Sequence, residues 1–425
     1  MGGAEGKTRD QLRERWRQMG QSSAEVVIIG GGIIGASVAY HLTQRGMRDV
    51  ILLESDSLGS GSTGRCLGGI RYQFGSEINV RFSQVSFALF QQFEEELGVD
   101  PGVRRIGYLF LATSERGGQV LAESARLLRR LGIEVELLSP EEIEQRWPAL
   151  QVSDVWVGSF CQEEGYAGPY EVLRGYIEGA RRQGCQIREG VEARGILTDG
   201  KRVLAVETAE GTIACAFVVD AAGPRASSVA AWAGMELPVV PIRRQVFTTT
   251  AFPRLKDPLP LLIDLERGWY LRREGEGFLV AGPQDQEPSY NTALDGGLEA
   301  VSWAAENALH RVPALADMEI SGGWAGLYEV SPDRHAILGE FPEMKGFICA
   351  NGFSGHGFMH SPAAGRLIAE LICEGRASTL DISALSPARF GQGRLIPEPM
   401  TAFRGLEGGE EELGNVEVDG GIRSP

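Results

Sequence analysis

Four consecutive apolar residues, Val26-Val27-Ile28-Ile29, run straight into Gly30-Gly31-Gly32-Ile33-Ile34-Gly35, and no other stretch limits the possible folds so strongly. A helix-like segment over 36–45 follows, then a second apolar run over 50–53 that ends on Glu54. The order is strand, glycine turn, helix, strand, with an acid about twenty residues past the last glycine, the pattern of a dinucleotide-binding βαβ unit. Gly30 permits the tight turn, Gly32 lets a pyrophosphate approach the backbone, and Gly35 lets helix and strand pack closely. Backbone N–H groups at the helix start, those of Ile33 and Ile34 among them, face the phosphates with the positive end of the helix. Glu54 would accept hydrogen bonds from both hydroxyls of an adenosine ribose and repel a 2′-phosphate. The structural alternative is a tight βα turn that holds no ligand.

A second glycine- and serine-rich loop, 57–71, follows at once. Beside a nucleotide turn it reads as a further cradle of N–H and hydroxyl groups, with Ser62 and Thr63 as the candidate phosphate donors. A plain surface loop is the alternative.

At 425 residues the chain is long enough for a large core and two domains. The 41 basic and 57 acidic side chains leave a net charge of −16, which argues against a nucleic-acid partner. Six scattered cysteines without a CxxC pair fit reduced thiols, not a disulfide framework or a zinc site. His356 and His360 are four apart, but Gly355, Gly357 and Pro362 argue against one helix presenting both to a metal, so no metal is expected. Residues 1–23 form a polar arm with no apolar signal core, and no later window is long and apolar enough to span a membrane. The expected compartment is the cytoplasm.

Along the chain, apolar periodicity predicts helices over 78–97 and 116–131, with strands over 107–113 and 134–138. Ser139-Pro140-Glu141-Glu142 reads as a capped helix start. A helix over 170–183 leads to short strands near 185–191 and 203–206, and 213–223 reads as one buried strand ending in small residues at Gly223. Between 236 and 330 strand-like runs are interrupted by one helix at about 296–310, the pattern of an antiparallel sheet with a covering helix. A strand over 346–351 then enters Gly352-Phe353-Ser354-Gly355-His356-Gly357-Phe358-Met359-His360-Ser361-Pro362, with Ser361 as N-cap and Pro362 as first residue of a closing helix. Such a helix start aimed at a ring would stabilise negative charge on the N1–C2 edge of a reduced flavin. Beyond Leu395 the Gly- and Glu-rich tail is expected to be loosely attached.

These pieces together resemble the D-amino-acid oxidase and sarcosine oxidase superfamily of FAD enzymes, most of all the sarcosine oxidase beta-subunit and N-methylamino-acid dehydrogenase branches. The resemblance covers nearly all of 24–396. It rests on Gly30 to Gly35 with Glu54, on the loop from Ser62-Thr63 to Gly69-Ile70-Arg71, on Tyr328 with Ser331-Pro332-Asp333, and on the closing turn. It implies α/β plus antiparallel sheet: a Rossmann-like FAD-binding domain built from discontinuous segments (24–95, 156–230, 331–396) and a mixed-sheet substrate domain (96–155, 231–330). The arm, 1–23, and the acidic tail, 397–425, lie outside both.

The resemblance also assigns roles. Arg71 would hold a substrate carboxylate over the flavin, a task suited to the Arg fork; a structural salt bridge is the alternative. Tyr328 would assist, and His356 would flank the flavin. Gly69, Val191 on the adenine side, Gly223, and the closing-turn residues Gly352, Ser354, Gly355, Gly357, Phe358 and Met359 complete the expected cofactor set. Departures from the family pattern matter too. Gly326 stands where one branch has a flavin-linking cysteine, and Arg65 where another has a flavin-linking histidine, so FAD is expected to be non-covalent. Leu279 replaces an oxygen-activating lysine, and Met359 a carboxylate-binding one.

The reading is a flavoprotein that oxidises a sarcosine-, dimethylglycine- or proline-like amine or amino acid to an imine, by hydride transfer from its α-carbon to flavin N5. With Leu279 it leans toward a dehydrogenase that passes electrons to another protein or a quinone, and an oligomer is compatible with it. The rivals are an oxygen-using oxidase of the same fold, a non-catalytic assembly or electron-transfer flavoprotein, and, more weakly, a nicotinamide dehydrogenase.

Overall fold

Strand Val26–Ile29 is buried along its whole length, and its two faces feed two different cores. Val26 and Ile28 point with Val50 and Leu52 into one cluster, whereas Val27 and Ile29 point with Ile51 and Leu53 into another. That alternation is the period-two geometry of a strand covered on both sides, and it explains the unbroken apolar runs in the sequence. The computed structural model describes residues 22–255 and 258–402.

Val26–Ile29 lies inside a six-stranded sheet in the order Ile337–Phe341, Met344–Asn351, Phe217–Asp220, Val26–Ile29, Val50–Leu53, Gln186–Arg188. All its pairings are parallel except that of the edge strand Ile337–Phe341. Helices Ile33–Gln44, Glu77–Leu97, Pro169–Arg182 and Gly357–Glu374 supply the core on one face. The other face is covered by the short helix Ala226–Trp232 and by a four-stranded sheet of Ser22–Ser23, Gly211–Ala214, Val203–Thr208 and Ala193–Thr198.

A second, eight-stranded sheet runs in the order Ile320–Val330, Val240–Thr249, Gly277–Pro288, Trp269–Glu274, Leu261–Asp264, Tyr108–Ala112, Val157–Cys161, Glu136–Leu138. It is antiparallel except where Leu261–Asp264 meets Tyr108–Ala112. Helix Gly297–Arg311 lays Ala300, Ala304 and Ala308 on one face, against Trp269 and Leu271. The architecture is therefore the expected α/β unit plus a mixed, largely antiparallel sheet.

Several local expectations need correction. The run 213–223 is two strands, not one: Gly211–Ala214 belongs to the four-stranded sheet, and Phe217–Asp220 to the six-stranded sheet. Val157–Cys161, expected with the FAD-binding segments, pairs instead with Tyr108–Ala112 and Glu136–Leu138 in the eight-stranded sheet. The closing helix starts at Gly357, five residues before Pro362. Proline there removes the N–H that would bond the Phe358 carbonyl, and the buried Ser361 hydroxyl donates to that carbonyl instead, at 2.8 Å. Finally, the first residues of the expected tail are docked. Glu398 is buried and accepts from Gly75 N–H, Ser76 Oγ and Asn79 Nδ2, while Met400 packs with Tyr108 and Leu261. Ser22–Ser23, the end of the expected arm, pairs with Ile213 and Ala214; residues 1–21 and 403–425 lie outside the described residues.

The two glycine-led helices, Ile33–Gln44 and Gly357–Glu374, pack back to back. A Cβ built on Gly365 would sit 2.1 Å from Ser37 Oγ and 2.5 Å from its carbonyl carbon, so the two starts are held at a fixed distance by backbone contact.

Candidate cofactor and substrate site

The carboxyl ends of the parallel strands are where this topology holds a ligand. Gly30 takes φ +115°, and a Cβ on it would lie 2.3 Å from the Ala221 carbonyl oxygen, so only glycine lets the two strand ends approach. A Cβ on Gly35 would lie 2.0 Å from the Gly30 oxygen, which closes the turn on the helix. Gly32 is the N-cap, and Thr63 Oγ1 accepts from the Ile33 N–H at 2.9 Å. Thr63 therefore stands at the helix start, beside Ile34, whereas the Ser62 hydroxyl donates to the Leu327 carbonyl at 2.7 Å and ties the loop to the roof sheet.

Glu54 follows strand Val50–Leu53 directly. Its carboxylate accepts from Gly31 N–H at 2.8 Å and from Asp56 N–H at 2.9 Å. Val191 N–H donates to the Glu54 carbonyl at 2.8 Å, so the residues expected at the adenine and at the ribose are neighbours. Gly223, at φ +56°, opens a short 3₁₀ turn after strand Phe217–Asp220.

Around the closing turn the structure brings the three expected reactive residues together. Arg71 is 4% exposed. Its Nη1 donates to the Gln73 carbonyl, its Nη2 lies 3.2 Å from His356 Nε2, and its guanidinium sits 4.0 Å from the Phe74 ring centroid. His356 meets Phe74 edge-on at 4.8 Å. Gly355, at φ +94°, lies under the Tyr328 ring, where a Cβ would come within 2.3 Å. Gly69, on the loop before Arg71, faces the Tyr108 hydroxyl just as closely, at 2.1 Å from a built Cβ.

Other closing-turn residues serve differently. Ser354, at φ +52°, accepts from Ser331 N–H at 3.1 Å, which holds the turn on the Ser331-Pro332-Asp333 segment. Gly352, at φ +70°, lets the turn pass Ile337. Phe358 and Met359 bury their side chains largely in the helical core. His360 is buried against Ser83 and held far below the ordinary imidazole value, at about 3, by burial and by the Arg71 charge. Among the described residues no group of three His, Cys, Asp or Glu side chains is placed to hold a metal.

Several residues escaped the sequence reading. Glu164 is fully buried and accepts from Tyr72 N–H, Gln73 N–H and Gln73 Nε2, fixing the backbone just after Arg71. Burial pushes its carboxyl up to about 7, against those hydrogen bonds and the Arg71 charge. Arg272 stands directly across the sheet from Leu279, with its guanidinium 4.0 Å from the Tyr166 ring centroid and 2.6 Å from Glu274. In the sequence it is one of three charged residues that end the strand Trp269–Glu274, and nothing local sets it apart from Arg273. Gly326 and Arg65 also meet: a Cβ on Gly326 would lie 3.0 Å from Arg65 Cβ, so the two positions matched to the flavin-linking residues of other branches adjoin, and neither carries a nucleophile.

The site fits FAD on its own terms. The glycine cradle admits a pyrophosphate at the helix start, Glu54 supplies acceptors at one end, and three buried oxygens lack donors: Asp220 Oδ2, Glu329 Oε2 and Asn351 Oδ1. Buried acceptors without donors are costly, about 1–3 kcal/mol each, and a polyhydroxylated cofactor supplies donors.

Comparison with known proteins agrees. The family model described as DAO, FAD dependent oxidoreductase, matches residues 25–371. FAD-dependent oxidoreductase domain-containing protein 1 of Xenopus laevis is 33% identical over 415 residues, covering 86% of this chain and 82% of that protein. The mitochondrial dimethylglycine dehydrogenase of Homo sapiens is 30% identical over 92% of this chain, which spans only 47% of that longer enzyme. Among solved structures, L-proline dehydrogenase from P.horikoshii superposes with a TM-score of 0.82 at 32% identity, covering 88% of this chain and 100% of that one.

Proposed function

The chain belongs to the DAO family of FAD-dependent oxidoreductases, and from that premise we propose that it oxidises the C–N bond of an amino acid, secondary or cyclic at nitrogen, to an imine. One observation carries the substrate class: Arg71, a buried cation, meets His356 of the closing turn beside the Tyr328 ring. A guanidinium enclosed by Phe74 and Phe110 has few competing waters, so a carboxylate gains more from it than it would at a surface. Glu164 and Gln73 hold the Arg71 segment in place, and Tyr328 closes the pocket from the roof sheet. Orientation of the reacting carbon is then this chain's main contribution. When bound, the flavin supplies the two-electron acceptor.

FAD is held non-covalently on this reading. Arg65 and Gly326 offer no attacking atom, and the nearby Cys66 thiol is pushed up to about 11 by burial, which disfavours its thiolate. The assignment of 24–95, 156–230 and 331–396 to the cofactor half, and of 96–155 and 231–330 to the substrate half, is kept with one change: Val157–Cys161 goes with the roof sheet that it pairs in.

The electron acceptor is proposed to be a protein or a quinone, because Leu279 places no cation of its own at the lysine position. A specific observation favours oxygen as a second reading: Arg272 stands opposite Leu279, although Glu274 neutralises much of its charge. No described helix is long and apolar enough to cross a membrane; a cytoplasmic location remains part of the proposal. Dye-linked oxidation of a panel of N-alkyl and cyclic amino acids, with peroxide measured in air, tests both points. Dye reduction with little peroxide supports the dehydrogenase, stoichiometric peroxide supports the oxidase, and neither signal with any amine would refute amine oxidation.

A further inference from the structure

Glu329 lies next to Tyr328 but faces away from the reactive cluster. A Cβ built on Gly223 would sit 3.8 Å from its Oε2, and one on Gly357 would sit 3.8 Å from its Oε1. Its carboxyl thus stands between the end of strand Phe217–Asp220 and the start of helix Gly357–Glu374. The backbone is fixed there: Ser354 N–H donates to the Glu329 carbonyl at 3.0 Å, and Val330 bridges Phe353. Although the residue is partly exposed along its length, Oε2 is enclosed and has no donor. Asp220 Oδ2 and Asn351 Oδ1, at the ends of the two neighbouring strands, are likewise enclosed without donors.

The sheet order says which part of a dinucleotide these acceptors meet. Glu54 follows Val50–Leu53, on one side of the Gly30 turn, whereas Gly223 and Gly352 follow the two strands on the other side. A dinucleotide crossing the strand ends with its adenosine at Glu54 and its pyrophosphate at the Gly32 turn therefore brings its flavin half toward Glu329. The hydroxyl donors of that half belong to the ribityl chain. Burial pushes the Glu329 carboxyl up to about 7, against backbone N–H groups of Gly352 and Phe353. It pushes Asp220 well above the ordinary carboxylate range, against the Ala222 N–H and with Glu329 adding to the shift. One oxygen of each carboxyl is thus served by the backbone, and the other has no partner.

We propose that Glu329 is a cofactor-binding residue whose carboxyl hydrogen-bonds a ribityl hydroxyl of FAD, the counterpart on the flavin side of Glu54 on the adenosine side. This rests on the FAD assignment but not on the substrate.

The full chain, stripped of flavin, is titrated with FAD and with FAD analogues lacking the ribityl 2′-, 3′- or 4′-hydroxyl, for the parent, Glu329→Ala and Glu329→Gln, with flavin fluorescence quenching as the readout. The expectation is about tenfold weaker FAD binding in Glu329→Ala, near-parental binding in Glu329→Gln, and one deoxy analogue that costs the parent about tenfold but costs Glu329→Ala nothing further. Losses that simply add for all three analogues, or parental FAD affinity in Glu329→Ala, would overturn it. If the alanine variant does not fold, Glu329→Leu removes the acceptor at similar volume, and the same cycle is read on it. A parent chain that binds no FAD would overturn the cofactor assignment as well, an outcome distinct from additive losses.

Discussion

The strand–glycine–helix turns at Gly30 to Gly35 and at Gly352 to Gly357 lead into helices that pack directly on one another through Ser37 and Gly365. They differ in what they gather. The first is built almost wholly from backbone: glycines against carbonyl oxygens, with Thr63 and Glu54 serving N–H groups of the turn and helix start. The second collects side chains from distant parts of the chain, with Arg71 on His356, Tyr328 on Gly355, and Glu329 beside Gly357. One turn is a shape that admits a phosphate, and the other is a meeting point of charge and aromatic surface. The first should therefore dominate cofactor affinity, to which Glu329 at the second adds a smaller share, whereas Arg71 and Tyr328 at the second should govern what is done with the cofactor.

The largest expected effect breaks the first turn. Gly32→Val places a branched side chain where a Cβ already lies 3.2 Å from Thr63 Oγ1 at the helix start. Purified protein should be apoprotein, with FAD affinity reduced about a hundredfold or more, roughly 3 kcal/mol. A yellow holoprotein would remove this turn from the cofactor site. Arg71→Ala, in the second cluster, should leave flavin content intact and raise the KM for carboxylate-bearing substrates about a hundredfold, within the roughly 2–5 kcal/mol range for losing one member of a buried charged pair. An unchanged KM would take Arg71 out of the substrate pocket. If Arg71→Ala lost flavin as fully as Gly32→Val, the division between the turns would fail.

Much of the first turn could be read from the sequence because its determinants are local: the glycine spacing, the two apolar runs and the acid after the second. The closing turn was legible as a glycine cluster at a helix start, but not in its register. Pro362 suits a first helical position, and nothing nearby in sequence announces that the Ser361 hydroxyl replaces the missing N–H and lets the helix begin at Gly357. Glu164 and Glu329 carried no local signature either. The surroundings of their carboxyls are created by partners 92 residues away in one case, and by a strand end and a helix start distant in sequence in the other. Arg71 itself was reached through family resemblance; its hydrogen-bonding distance to His356, 285 residues on, belongs to the fold.

Smaller effects sharpen the same contrast. Ser361→Ala strands the buried Phe358 carbonyl and should lower stability by about 1–3 kcal/mol in denaturant unfolding, with FAD affinity falling less than in Gly32→Val. Equal stability would mean that the carbonyl finds another partner. The smallest effect concerns pH. Glu164 has its carboxyl raised from 4.5 to about 7, so its contribution to stability is full below its unfolded value and is lost as pH rises through 7. Glu164→Gln cannot titrate, so its melting temperature relative to the parent should rise between about pH 5 and about pH 8. A flat or falling difference would place Glu164 in an ordinary ionised state.

The central claim is that a buried arginine at the second turn presents an amino acid to a flavin held by the first. Anaerobic mixing of the parent and Arg71→Ala with N-alkyl and cyclic amino acids, and with the same amines lacking the carboxylate, tests it most directly through bleaching of the flavin. The account predicts rapid bleaching of the parent by at least one carboxylate-bearing amine. It predicts slow bleaching by the decarboxylated counterpart and the loss of that preference in Arg71→Ala. No bleaching by any amine, or a preference that survives the loss of Arg71, would contradict it.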